Sequence, residues 1–167
     1  LGQQLVLRHE GKDHKLSLPL IGAYQMNNVL TAAGLVLATG GDWTTTLSGM
    51  ARVAPVRGRL ERAVISRSGA PVYVDYAHTP DAIEAAIAAL RPHVEGRLIT
   101  VLGAGGDRDE GKRPEMGRVA TQLSDVVIVT DDNPRSEDPA IIRKAVLAGA
   151  PGAIEVAQRL RPQQYLG

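Results

Sequence analysis

Ten consecutive residues, TDDNPRSEDP at Thr130–Pro139, hold four carboxylates, one arginine and two prolines directly after the apolar run DVVIV. Part of this has a plain structural explanation. Asp138 before Pro139 reads as a helix N-cap followed by a proline at the first helical position, and Asn133 before Pro134 is a turn former. Arg135 is left over. It is a fork-shaped donor beside Asp131 and Asp132, and it suits a ligand carrying both a carboxylate and an ammonium.

A second stretch, GAGGDRDEGKR from Gly103 to Arg113, allows three kinds of chemistry. Gly106, Gly111 and Lys112 fit the G-x-x-x-x-G-K spacing in which backbone amides cradle phosphate. Against that, Arg113 stands where a magnesium-binding Ser or Thr is needed, and Asp107, Asp109 and Glu110 would repel phosphate. Gly103 and Gly105 do not continue into G-x-G-x-x-G either. The other two readings are a glycine turn with a solvated charge cluster, and a loop whose Arg108 turns inward to hold a substrate carboxylate.

A third stretch, DYAHTPD, sets Asp75, His78 and Asp81 within seven residues. No second histidine at helical spacing accompanies His78, so a metal site is not indicated. Asp81 fits the first turn of a helix opened by Pro80, where a carboxylate meets the positive end of the helix dipole. Asp75 ends a strand and shows no such duty in the sequence, which leaves it a candidate for a ribose hydroxyl or a metal-bound phosphate.

The elements that must carry these loops are legible from periodicity. QLVLRHEGKDHKLSLPL alternates apolar and polar residues around EGKD and predicts two strands joined by a turn. From Gly22 the run AYQMNNVLTAAGLVLATG repeats Met26, Val29, Leu30, Ala33, Val36 and Leu37 at helical spacing, and Gly40 and Gly41 stop it. DWTTTLSGMARV predicts a second helix capped by Asp42. APVRGRLER reads as a linker, with a domain boundary near Gly58. Beyond it, strands (ERAVISR, PVYVDYA, RLITVLG, DVVIVT, GAIEV) alternate with helices (PDAIEAAIAALRPHV, RPEMGRVATQL, PAIIRKAVLAG). Continuous apolar strands alternating with helices predict a doubly wound α/β domain, its mostly parallel sheet covered on both faces. In such sheets ligands bind beyond the carboxyl ends of the strands, where all three charged loops are expected.

Composition narrows the class. The 167 residues are 44% hydrophobic and 22% charged, enough for a substantial core in a water-exposed protein. A formal charge of +1 and 3% aromatic residues argue against a nucleic-acid partner. There is no cysteine, which excludes disulfides and thiolate metal sites and is compatible with the cytosol. No apolar run or charged-then-apolar leader predicts a membrane span or signal peptide. The chain opens at Leu1 inside an expected strand and closes on RPQQYLG without an evident final element, as a piece of a longer protein would.

LPLIGAYQMNNVLTAAG, GRLE, VDYAHTPDAIEAA, GAGGDRDEGKRPEMG and DDNPRSEDP occur in this order as long ungapped runs. From about Leu16 to Val156 the chain resembles the Mur ligases, and within them the branch that adds meso-diaminopimelate to UDP-MurNAc-L-Ala-D-Glu. The resemblance implies residues 1–57 as the tail of a central ATPase domain and 58–167 as most of a Rossmann-like C-terminal domain. It implies an ATP-dependent ligase of peptidoglycan synthesis, cytoplasmic and monomeric, that uses magnesium and proceeds through an acyl phosphate. Carried onto this sequence, Asp132, Asn133, Pro134 and Arg135 become the diaminopimelate motif, with Arg108 the second arginine of that pocket. Asn28, Arg59, Asp75 and His78 fall on the ATP side.

Some of the family pattern is missing. Gln25 stands where an asparagine is usual. The ATP-binding glycine loop and the carbamylated lysine that holds magnesium are not among these residues. After IEV, AQRLRPQQYLG does not follow the family's aspartate-arginine helix and glycine-histidine-glutamate segment. The chain alone is therefore expected neither to hydrolyse ATP nor to ligate. Two alternatives stand beside this reading: a folylpolyglutamate or cyanophycin synthetase-like ligase, and a non-catalytic Rossmann-like binding module.

Overall fold

The computed structural model describes residues 2–157 and divides into two compact units, 1–76 and 77–167. The first unit opens with an antiparallel hairpin, β1 (Gln3–His9) and β2 (Lys12–Leu18). Glu10 and Gly11 take φ of 47° and 74°, the left-handed pair that a two-residue hairpin turn requires. Leu5 pairs with Leu16, and that face closes on α1 (Ala23–Ala38) and α2 (Trp43–Met50) in a small core of Leu16, Leu18, Leu20, Val29 and Met50. The Asp42 carboxylate accepts from the Thr45 amide at 2.7 Å and caps α2. Gly40 (φ 93°) ends α1, and the Gly41 amide returns to the Val36 carbonyl at 2.9 Å.

The next two strands depart from the expected pattern. β3 (Glu61–Ile65) and β4 (Pro71–Val74) pair antiparallel as a sheet of their own, closed by a turn in which Gly69 donates to the Ser66 carbonyl at 3.0 Å. They are not members of the parallel sheet. Their short apolar runs could not distinguish the two arrangements, whereas the five-residue connection Ser66–Ala70 is too short for a parallel crossover.

The second unit runs α3 (Pro80–Leu90), β5 (Ile99–Leu102), α4 (Lys112–Leu123), β6 (Val126–Thr130), α5 (Pro139–Leu147) and β7 (Ile154–Val156). Its three strands are parallel in the order β5–β6–β7, with Leu102 opposite Val129 and Ile128 opposite Ile154. Thr79 caps α3 through the Ala82 amide, Pro80 occupies its first turn, and Asp81 sits there as expected. Leu98, Leu102, Val127 and Val129 point to one face and bury against Ile83, Ile87, Met116, Ala120, Ile142 and Val146 from the three helices. The opposite face carries Ile99, Val101, Ile154 and Val156, all between 41% and 54% exposed. Among the described residues the sheet is thus clothed on one face, where cover on both was expected. No described helix is long and apolar enough to cross a membrane.

Candidate functional site

β5 and β6 run parallel, so the loops following them leave the sheet at the same end, and the glycines set how closely they approach. A Cβ on Gly103 would lie 2.6 Å from the Thr130 carbonyl oxygen, and one on Gly106 would fall on the Pro134 carbonyl. Only glycine allows the GAGG segment to lie against the DDNPR segment.

Polar links then join the two loops. The Gly106 amide donates to the Asn133 carbonyl at 2.9 Å, and the Asp107 amide donates to Glu137 Oε1 at 2.5 Å. The Ser136 hydroxyl donates to Asp107 Oδ1 at 2.6 Å. Arg113, 1% exposed in the first turn of α4, donates from Nη1 and Nη2 to Glu137 at 2.8 and 2.7 Å. Its guanidinium, together with the Asp107 amide, holds the Glu137 carboxyl below the usual carboxylate range. Arg135, at φ 49°, folds back so that its Nη1 donates to the Gly106 carbonyl. Arg108 is exposed and has no hydrogen bond or ion pair among the described residues.

The carboxylates beside Arg135 are not equivalent. Asp131 accepts from Arg143, which is 9% exposed and also donates to Glu155 in β7 at 2.7 Å. Asp132 is exposed. Asp138 caps α5 through the Ala140 amide at 2.8 Å, as expected. Its neighbours Ser136 and Glu137 make loop-to-loop contacts.

The same geometry decides the phosphate-loop question. The amides of Gly106 and Asp107 are taken by Asn133 and Glu137, and that of Gly111 donates to Asp109 Oδ1 at 3.0 Å. These three amides, which a phosphate loop would turn toward its ligand, are already satisfied within the protein. The solvated-cluster reading holds for Asp107, Arg108, Asp109 and Glu110, which are exposed, but not for Arg113, which is among the most buried side chains.

In the first unit, Asn28 and Arg59 both line a groove of about 800 Å³ along α1 and α2, with Val29, Ala33, Val36 and Met50 among its apolar walls. The apolar stripe read on α1 is therefore only partly buried. Gln25 is held inside the fold, 7% exposed, and donates to the Arg59 carbonyl at 3.0 Å. The Arg59 guanidinium lies 5.4 Å from the Tyr76 ring centroid. Asp75, expected to have no structural duty, accepts from the Leu60 amide at 2.8 Å and the Tyr24 hydroxyl at 3.2 Å. Burial, and then the Asp75 carboxylate, push the Tyr24 phenol well above its ordinary pKa. His78 is exposed in the second unit. The divergent tail AQRLRPQQYLG lies almost wholly outside the described residues.

Residues 58–162 match the family model described as Mur ligase, glutamate ligase domain. The chain is 63% identical over 158 residues to the UDP-N-acetylmuramoyl-L-alanyl-D-glutamate–2,6-diaminopimelate ligase of Zymomonas mobilis, covering 95% of this chain and 32% of that protein. It is 54% identical to the ligase of the same name from Caulobacter vibrioides, with the same coverages. The chain thus spans about a third of the length of the curated relatives it matches. Among solved structures, a 2,6-diaminopimelate ligase of this name superposes with a TM-score of 0.57 at 32% identity, over 93% of this chain and 32% of that one. Folylpolyglutamate synthase from Mycobacterium tuberculosis superposes at 0.71 with 29% identity, over 93% and 36%. A glycine-cradled pair of loops at the carboxyl end of a parallel sheet, on a chain matched over residues 58–162, places this protein in the Mur ligase family, with its glutamate ligase domain.

Proposed function

We propose that the chain is part of an ATP-dependent ligase that joins meso-diaminopimelate to UDP-MurNAc-L-Ala-D-Glu during peptidoglycan precursor synthesis. The observation that carries the reading is the two-loop assembly, which puts Arg108 and Arg135 on segments tied directly to each other. Two planar forks suit the two carboxylates of diaminopimelate, and the acidic Asp132 suits an ammonium. Asn133 and Pro134 shape the turn that presents Arg135. The names of the most similar relatives specify an acceptor of this chemistry.

In that reaction the D-glutamate side-chain carboxylate takes the γ-phosphoryl group of ATP to give an acyl phosphate and ADP. The acceptor amine then attacks the acyl carbon, phosphate leaves, and the amine loses a proton. The residues described here serve the second step by binding and orienting the acceptor, where positioning supplies much of the rate. Asn28 and Arg59, facing the α1–α2 groove, with Asp75 and His78, are proposed for the ATP side. Asp75 would act there through Leu60 and Tyr24, which it already holds. No group of three or more His, Asp or Glu among the described residues could hold a metal ion, so magnesium is assigned to other parts of the parent enzyme. The parent is proposed to be a cytoplasmic monomer, with the boundary of the C-terminal domain near Gly58.

Calorimetry of diaminopimelate binding to the full-length parent tests the reading. Arg135→Ala should weaken binding by about 2–5 kcal/mol, the loss of a charged, hydrogen-bonded carboxylate contact. Unchanged affinity would mean that the loop is structural only.

A further inference from the structure

Resting on the reading of Arg108 and Arg135 as carboxylate holders, we propose that the Arg113–Glu137 pair is a positioning element that sets acceptor selectivity. It clamps the loop after β6 onto the loop after β5 and thereby fixes the separation of the two forks.

Arg113 is poorly placed if stability alone is considered. It lies in the first turn of α4, where the helix dipole disfavours a cation, and it is 1% exposed. Its Nε is buried without a partner among the described residues. Buried ion pairs are weak contributors to stability, because desolvation offsets their attraction, and their best-attested use is to specify one arrangement. Here the arrangement specified is the joint between the loops. Glu137 takes both terminal nitrogens of Arg113 and, through Oε1, the Asp107 amide at 2.5 Å. A single carboxylate therefore fixes the start of α4, the glycine loop and the segment before α5.

The forks hang from that joint. Arg108 directly follows Asp107, and Arg135 directly precedes Ser136, while Asp107 and Ser136 are bonded to each other at 2.6 Å. Asp107 and Arg135 both hold left-handed backbone, at φ 51° and 49°. Non-glycine residues stay in that region only when their surroundings over-determine it. Arg135 keeps one arm on the Gly106 carbonyl, which restricts where its remaining donors can point. Arg108 has no such tether. A ligand with two suitably spaced carboxylates would be favoured only while the joint holds Arg135 in register with Arg108.

The test uses the full-length ligase with Glu137→Gln, the double variant Arg113→Met/Glu137→Leu, and Arg135→Ala as reference. Glu137→Gln should raise KM for diaminopimelate about tenfold, with KM for ATP and the UDP-substrate within about twofold, and should reduce preference over lysine. The apolar double variant should recover melting temperature, because well-packed apolar residues often replace buried ion pairs without loss, yet retain the raised KM. Recovery of both melting temperature and KM would overturn the proposal, as would equal effects of Glu137→Gln on all three substrates. Should Glu137→Gln not fold, Ser136→Ala carries the same test: a rise of about twofold to threefold in the diaminopimelate KM alone supports the joint, and no change overturns it. If Arg135→Ala leaves diaminopimelate binding intact, the acceptor-pocket reading itself fails. If Arg135→Ala weakens binding while Glu137→Gln does not, only the positioning role fails.

Discussion

Asp75 and Tyr24 show how one hydrogen bond changes the account of a residue. In sequence, Asp75 is a carboxylate at the end of a strand with no evident structural duty. In the fold it holds the Leu60 amide, at a residue with φ 47°, and accepts from the half-buried Tyr24 hydroxyl. Burial and the adjacent carboxylate both disfavour a phenolate, so the folded pKa of Tyr24 lies above the unfolded one. A group raised in this way adds stability that is fully present below its unfolded pKa, about 10, and is lost as pH rises through the folded value. In a spectrophotometric alkaline titration, one of the four tyrosines should therefore stay protonated until the chain unfolds. Tyr24→Phe should remove that late step. Residues of this kind are hard to read from sequence for a simple reason: their partners lie far along the chain. Arg135 stands out locally as an arginine among carboxylates. Arg113 does not, because its partner Glu137 is 24 residues away and no periodicity links a helix start to a later loop.

At the scale of elements, alternation and helical spacing located the first hairpin, both early helices, the caps at Asp42 and Asp138, and the parallel order of the later strands. They could not show that β3 and β4 form their own hairpin, nor how closely α4 and α5 approach. That approach depends on two glycines. A Cβ at Gly117 would meet the Val146 carbonyl, and one at Gly149 the Pro114 carbonyl. Both obstacles are backbone and cannot rotate away. Gly149→Ala should therefore destabilise the second unit by about 1–3 kcal/mol, the usual cost of overpacking, measured by chemical denaturation. The loops of this unit also make it sensitive to acid. The carboxyls of Glu137, beside Arg113, and of Asp125, holding the Leu98 amide and Arg91, are depressed. Groups depressed in the folded state contribute stability above the unfolded carboxylate range, about pH 4, that is lost as pH falls through their folded values. Melting temperature should drop across that interval, and Glu137→Gln should make the drop shallower.

At the scale of the whole molecule, the decisive property is which backbone amides are still free to bind. A nucleotide-binding glycine loop works because its amides point at phosphate, and a G-x-x-x-x-G-K match has function only if they do. Here the amides of Gly106, Asp107 and Gly111 are engaged by Asn133, Glu137 and Asp109, and the glycines permit contact between loops instead. Lys112, next to them, therefore has no phosphate cradle to complete. In the full-length parent, Lys112→Ala should leave KM for ATP within about twofold, whereas removal of a true phosphate-loop lysine would raise it or abolish turnover. The same reasoning applies to these 167 residues alone. They carry the proposed acceptor clamp and a groove lined by Asn28 and Arg59, but in the glycine loop the amides of Gly106, Asp107 and Gly111 are already engaged within the protein. Incubated with ATP, diaminopimelate and the UDP-dipeptide, the purified chain should release no phosphate above a buffer control. Measurable phosphate release, lost in a Lys112→Ala version of the same chain, would restore the phosphate-loop reading and require these amides to be freed in solution.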